Sequence, residues 1–455
     1  MQWSNWGRNV RWEPAGVVRP RTVEEASRVI AAHPRVKPVG SLHSFSGLIR
    51  TDGVTLVTDR LPRDVTFAGE DWELGVPRIR VAGHMEVGRA MRHMDLLGYA
   101  LDNSGSNIRP SVLGSVATAV HGTGIHWGSI SHPHVLRAVE GIDGRGEIFR
   151  RDADDPEHHA DLRALRANLG GLGLLTSVEL AARRPYTLRM DARLGSLEEA
   201  LDPVERAPAV RRYEILWFAL QDRALRMYRD ETGEPASAGR AISSFVDEIL
   251  VGNVALGALL RGAWLFGGGD RVHEIWNFIL GQLPEDDDDY IDSWWEGLTG
   301  DRLFRAQSLE YSVAPERLGE ALEAVRRIAY DWDVSGRYTL DLPVNVRWSR
   351  SDEDTCMSAA HRRDVAWVDV SVSDYGPDEA RGPFLAAIEQ ALLPLGGRSH
   401  PGKVHWQNPR ASWDPECWSH FWTARDRFDP DGRFLNEHLV ALREGRDLDP
   451  GMPRA

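Results

Sequence analysis

"VGSLHSFSGL" (Val39–Leu48) lies between two runs of β-like residues, "VKPVG" and "VTLVTD", and its texture decides how the first part of the chain is read. Small residues let the backbone turn tightly, and His43 stands in that turn, where it serves neither a helix nor a core. Two further segments share the texture: "GSVATAVHGTG" (114–124) and "NLGGLGLLTSV" (168–178). Successive amides in such turns form anion-binding concavities. Three of them suit a diphosphate held by N–H groups and hydroxyls without cationic side chains. None has the spacing of a Rossmann fingerprint or a P-loop, and "GGLGLL" lacks the acidic residue expected about 20 positions on. The usual nicotinamide and ATP readings therefore fail.

Short elements surround these turns. "TVEEASRVIAAH" begins with a Thr cap and carries Val23, Ala26, Val29 and Ile30 at helical spacing. "EVGRAMRHMDLLGYAL" reads as a second helix ending near Gly98, and "VLRAVEGIDGRGEIFRR" as two strands joined at Asp143-Gly144. After Arg183-Arg184-Pro185 the strands "RRYEILWFAL", "LEYSVAP", "LDLPVNVRW" and "VAWVDVSVS" alternate with helices "ERLGEALEAVRRIAYDW" and "GPFLAAIEQALLPLG". This predicts an α+β chain whose second part is a sheet with helices on one face. The acidic run "PEDDDDYIDSWWEG" (284–297) lacks the alternation and turn glycine of a calcium loop and reads as a solvated loop.

At 455 residues the chain exceeds one ordinary core, and 42% hydrophobic with 27% charged residues is globular composition. A net charge of −14 argues against nucleic-acid binding. Two cysteines, Cys356 and Cys417, are too few for a disulfide framework; a single pairing stays open, but a reducing compartment fits better. No basic n-region precedes an apolar stretch, and "VALGALLRGAWLF" is shorter than the ~20 residues a membrane span needs. A cytoplasmic protein that engages neither membrane nor nucleic acid is expected. His126, His132 and His134 lack ligand spacing and partners, so no metal is expected. The 17 tryptophans read as core and near-pocket aromatics.

In this order the three glycine-rich segments resemble the FAD enzymes of the vanillyl-alcohol oxidase/p-cresol methylhydroxylase superfamily, closest to its aldonolactone oxidase and alditol oxidase branch. The resemblance implies a two-domain FAD-linked oxidase fold. Its parts would be an FAD-binding α+β domain (1–183), a substrate-binding cap domain (184–402) with a mixed or antiparallel sheet covered by helices, and a C-terminal segment (403–455) returning to the FAD domain. It implies that Gly40, Ser41, Leu42, His43, Ser44 and Phe45 wrap the FAD diphosphate and that His43 bonds covalently to the flavin 8α carbon. That bond needs an unprotonated imidazole nitrogen, which histidine supplies near neutrality. Gly114, Ser115, Thr118, His121, Gly122 and Gly124 match the family's central segment, and "LGGLGLLT", with Gly173, Thr176 and nearby Val178, a third. "KVHWQNP" (403–409) resembles an "HWGK" element, and "FDPDGRFLNEHL" (428–439), with Asn436, resembles the closing segment. Gly105 aligns beside the flavin C4a–N5 edge, where a small residue accompanies reaction with oxygen; Ser106 follows it.

Two positions depart from the family. Its "E-V-R" triplet reads "NVR" here, putting Asn345 at the carboxylate position and Arg347 at the arginine, and its "HWGK" lysine becomes Asn408. Alternation puts Asn345 and Arg347 on one sheet face. General-base help is worth roughly 10²–10⁴ in rate, so another base or a different substrate is required. Asp369, Ser371, Tyr311 and His405 are the nearby candidates, with Asp369 also placed to pair with Arg347. If the two asparagines set the substrate, Asn345→Glu with Asn408→Lys should create alditol or lactone oxidation.

The resemblance implies hydride transfer from a CH–OH group of a sugar-derived or other small alcohol to flavin N5, then reoxidation by molecular oxygen to peroxide. The alternatives are a tailoring flavoenzyme for a non-polyol substrate, with a tryptophan-lined hydrophobic pocket, and a flavin- or sugar-binding protein that has lost catalysis.

Overall fold

A computed structural model describes residues 2–206, 212–237, 254–283, 288–302 and 304–454. The first sheets form by residue 181. Strands Gly16–Val18, Val54–Val57 and Val36–Val39 make a parallel three-stranded sheet, packed by the helix Val23–Ala32 through Ala26 and Ile30. Thr22 caps that helix, accepting from the Glu25 amide at 3.1 Å, while Glu25 accepts from the Arg21 amide at 2.7 Å. A five-stranded antiparallel sheet follows in the order Asp64–Glu70, Pro77–Ala82, Leu174–Ala181, Leu136–Ile142, Ile148–Asp152. The segment read as a second glycine-rich turn is partly helical: Val112–Ala117 is a short helix capped by Ser111.

From Thr187 onward the strands form one antiparallel sheet of eight. Their order is Asp288–Ser293, Thr187–Gly195, Arg223–Thr232, Tyr213–Phe218, Val344–Ser349, Val365–Ser373, Ala306–Val313, Arg398–Ser399. Period-two alternation divides its two faces. Ile215, Trp217, Leu309, Tyr311, Val346, Val368 and Val370 pack in one core with helices Leu318–Val334 and Asp378–Leu392. Glu214, Ser308, Glu310, Asn345, Arg347 and Asp369 hold the alternate positions and line a cavity. The helical hairpin Val254–Phe266/Gly268–Leu280 packs on Leu216, Phe218, Met227 and Leu342.

The chain after residue 403 returns to the first sheets. The Val36 amide donates to Arg433 O at 2.8 Å, and Asn436 caps the helix Glu437–Glu444 while its Nδ2 donates to the carbonyls of Gly47, Leu48 and Arg50.

Two expectations change. The acidic run is not a loop throughout: Asp288–Ser293 is an edge strand and Trp294–Leu298 a helix, while 284–287 lie outside the described residues. An edge strand needs a partner on one side only and commonly carries charge. Cys356 and Cys417 are joined in a disulfide that ties the segment after the strand Val344–Ser349 to the helix Pro415–Phe428. Among the described residues no helix is long and apolar enough to cross a membrane.

Candidate active site

A cavity of about 690 Å³ lies between the turns of the first sheets and the inward face of the large sheet. This is within the roughly 300–1,000 Å³ typical of small-molecule sites. Of the residues expected at a cofactor, Gly40, Ser41, Leu42, His43, Ser44, Phe45, Gly105, Ser106, Gly114, Ser115, Thr118 and His121 all line it.

The 40–45 loop is built as an anion cradle. Leu42 sits at φ +59°, a left-handed conformation that a non-glycine residue holds only where its surroundings enforce it. Its carbonyl accepts from the Trp6 amide at 2.8 Å, and the Phe45 amide donates to Gly402 O at 2.7 Å. Between those anchors the amides of Ser41, Leu42, His43 and Ser44 have no acceptor among the described residues. A Cβ on Gly40 would lie 2.5 Å from Ser111 Oγ, so the loop can approach the Val112–Ala117 helix only with glycine there. Among the described residues, Ser115 Oγ on that helix is buried without a partner. Unpaired amides and a free hydroxyl, with no cation on the loop, fit the diphosphate of FAD.

His43 stacks on Trp6 with ring centroids 5.0 Å apart. Burial, helped by the Arg109 guanidinium and opposed by Asp301, pushes its pKa down to about 4, so the imidazole is neutral. Arg109 and Asp301 are themselves paired, where the segment 299–302 crosses that of 106–109: Gly300 N donates to Ser106 O at 2.8 Å.

The opposite wall holds a buried charge cluster. Cross-strand registers Glu214↔Arg347, Asn345↔Asp369 and Glu310↔Asp369 put these groups side by side. Arg347 Nη2 lies 3.0 Å from Glu310 Oε1 and 3.7 Å from Asp369 Oδ2. Lys403 Nζ donates to Ser308 Oγ at 2.8 Å and Asp369 Oδ2 at 2.9 Å, and stands 3.3 Å from Glu310 Oε2. His121 Nε2 faces Glu310 at 3.2 Å, its Nδ1 faces Gly122 O at 2.9 Å, and its ring stacks on Trp367 with centroids 3.8 Å apart. Burial alone would raise the Glu310 carboxyl, but Lys403, His121 and Arg347 outweigh it and hold it well below the usual carboxylate range. Asp369 is likewise lowered: Lys403 and Arg347 prevail over burial and over Glu310. Burial drives His400 down to about 3; its Nδ1 accepts from the Gly402 amide, so the neutral ring carries its proton on Nε2.

Asn345 lies in the cavity wall as expected, with Nδ2 donating to Glu214 Oε1 at 2.7 Å. Asn408 does not. Its Nδ2 donates to the carbonyls of Ala441, Leu442 and Arg446 and its Oδ1 accepts from the Arg410 amide, a tie for the C-terminal helix outside the cavity. His405 also lies outside, buried beside His438 with Nδ1 against Lys403 O. Tyr311 points into the opposite core and donates to Glu389 at 2.6 Å. Restoring a lysine at 408 would therefore add no charge to the site.

Gly122, Gly124, Gly173, Thr176, Val178 and Asn436, also expected at the cofactor, do not line this cavity, and each has protein contacts of its own. A Cβ on Gly122 would strike Ser104 O, Gly124 donates to Trp348 O, and Gly173 packs on Ile142 O. Thr176 and Val178 belong to the central strand of the five-stranded sheet, and Asn436 holds the 47–50 carbonyls. The sequence reading missed Lys403, Glu310 and Glu214. The two glutamates were visible as single charges at alternating positions in apolar strands, "YEILWF" and "SLEYSV"; the lysine stands two residues before "HW" and not after it.

Comparisons with known proteins agree with this geometry. Residues 14–152 match the model of the FAD binding domain, and 178–442 match the model described as D-arabinono-1,4-lactone oxidase. The chain is 27% identical over 446 residues to L-gulono-1,4-lactone dehydrogenase of Mycobacterium tuberculosis, covering 96% of this chain and 97% of that one. It is 24% identical over 447 residues to L-gulonolactone oxidase of Bos taurus, again covering 96% and 97%. A solved structure titled solvent-stable cholesterol oxidase superposes with a TM-score of 0.76 at 16% identity over 97% of both chains, which establishes the two-domain FAD oxidase fold. With cradle, charged wall and both matches in one continuous chain, this protein belongs to the D-arabinono-1,4-lactone oxidase family and is an FAD-dependent oxidoreductase.

Proposed function

We propose that the protein oxidises the CH–OH group of a sugar-derived lactone or related small alcohol, the class named for its relatives, with molecular oxygen as acceptor. The observation that carries this reading is the opposition, across one cavity, of the 40–45 cradle and the Lys403–Glu310–Asp369–Arg347 wall. FAD, when bound, supplies the hydride-accepting N5. The amides of 41–44 and Ser115 Oγ hold its diphosphate.

The chain's own groups orient the alcohol and manage its proton. Arg347 and Lys403 place positive charge where the hydroxyl oxygen gains negative charge as its proton leaves. Asp369 Oδ1 accepts from Ser308 Oγ and from the half-buried Ser371 Oγ, and it takes that proton through Ser371, which passes on its own hydroxyl proton as it receives the substrate's. Lys403 stabilises Asp369 and Glu310 together in their ionised forms. His400 Nε2–H donates to a second substrate oxygen. Gly105 lines the cavity where the chain packs so closely on Val120 that a Cβ would lie 2.5 Å from Val120 Cγ1, so this wall keeps a glycine.

The neutral His43 is the covalent anchor. Acid-precipitated wild-type protein should stay yellow, and His43→Ala should release its colour to the supernatant; release from the wild type would contradict the tether. Peroxide formed in step with oxidation of an aldonolactone tests the reaction, and turnover with an artificial dye but none with oxygen would reassign the acceptor.

A further inference from the structure

The charged wall covers only half of the cavity's inward sheet face. Moving across the sheet from Asp369 through Asn345 to Glu214, the inward positions then become mostly apolar, with Arg229 the charged exception opposite Met190. Leu216 follows Glu214 on the same strand, Met227 lies on the next and Met190 on the one after. At about 4.8 Å per strand this floor runs roughly 19 Å from the Asp369 strand to the Met190 strand. Leu342 and Phe304 also line the cavity. The end is firm: Leu216, Met227, Leu342 and Phe304 pack on their far side against the helical hairpin 254–280. Leu216, Met227 and Leu342 keep 6–7% exposure, whereas Ile215 and Trp217 on the opposite face have 0%. The remaining exposure faces the cavity.

Glu214 and Arg229, the charges on this part of the sheet, are paired with each other. Glu214 pairs with Arg229 at 2.7 Å, and its other oxygen accepts from Asn345 Nδ2. A carboxylate held ionised by Arg229 and Arg347 against its burial can only accept, so the amide orientation at 345 is fixed. Asn345 Oδ1 is thereby left, among the described residues, as a buried acceptor without a partner, at the junction between charged wall and apolar end. A bare polyol would leave its hydroxyls unpaired against Leu216 and Met227, which is costly in a closed cavity.

We propose that the substrate is an alcohol or lactone bearing an apolar substituent, an alkyl, acyl or aryl group, seated against Leu216, Met227, Leu342 and Phe304. A neutral hydroxyl of the same molecule donates to Asn345 Oδ1. This rests on the CH–OH reading above and names the substrate class for that site. A carboxylate at 345 would have to lose water beside the apolar group, so the neutral amide is the compatible choice.

The test takes whichever aldonolactone or alditol the holoenzyme oxidises and compares it with its terminal O-alkyl ethers from methyl to octyl. We expect kcat/KM to rise about three- to fourfold per methylene until the apolar end is filled. Dissociation constants of the ethers, from perturbation of the flavin spectrum, should fall in parallel. Met227→Gln and, independently, Leu216→Asn should flatten the slope in protein of unchanged flavin content. Values that stay level or fall with chain length overturn the proposal while leaving alcohol oxidation standing; a cofactor ring occupying the apolar end would give that result. Failure to oxidise any parent alcohol overturns the reading beneath it as well.

Discussion

Lys403 organises the site, and it was the residue hardest to find in the sequence. Its ammonium group touches Ser308 and Asp369 and stands beside Glu310, so one side chain holds two buried carboxylates ionised. A search for a lysine after "HW" finds Asn408 instead; spacing along a loop does not say which residue turns inward. The glutamates illustrate the opposite case. An alternating strand exposes each side chain to one face, so Glu214 and Glu310 could have been read as inward charges from their strands alone. The depressed carboxyl of Asp369 has a kinetic consequence. Its ionised form is complete above the ordinary carboxylate range and is lost only as pH falls through the lower folded value. The acid limb of kcat/KM should therefore lie below the ordinary carboxylate range; a limb centred above that range would remove Asp369 as the proton acceptor.

Elements were legible where the periodicity was strong, with a cap marking the start of only the first helix, at Thr22. The helices Val23–Ala32, Leu318–Val334 and Asp378–Leu392 and the strands about Asn345 and Asp369 follow from periodicity. The edge strand Asp288–Ser293 did not, because a like-charged run looks the same whether it is a loop or an edge. Gly122 and Gly173 lie where the chain passes so close to Asn103–Ser104 and to Ile142 that a Cβ would not fit. Asn436 shows how much one side chain can tie: it caps the last long helix through the Leu439 amide and satisfies three carbonyls after the cradle. Asn436→Ala should cost about 2–4 kcal/mol, from a lost cap and buried acceptors left unpaired. Thermal or urea unfolding of the variant measures this, and a loss below 0.5 kcal/mol on the order of an exposed-surface change would contradict it.

Across the whole molecule, long-range closures hold the cavity's walls in register. The C-terminal chain reaches back to Val36 and Gly47, and the Cys356–Cys417 disulfide joins positions 61 residues apart. Composition foretold neither, since two cysteines carry no information about their distance in space. Cys356→Ser with Cys417→Ser should lower stability by about 2–4 kcal/mol, read as a fall in Tm in the FAD-bound protein. An unchanged Tm would mean that the bridge is not formed in solution. The helical hairpin 254–280 packs behind the cavity's Leu216, Met227 and Leu342, so the proposed apolar substituent would rest on that hairpin's packing.

The most direct measurement is anaerobic stopped-flow reduction of the bound flavin by the lactone or alcohol the wild type oxidises best, in wild type and in Lys403→Met. Lys403→Met, with its flavin bound and its fold intact, should reduce roughly 10²–10⁴ times more slowly. Bleaching at the wild-type rate, or a wild type that no CH–OH compound bleaches, would contradict the account.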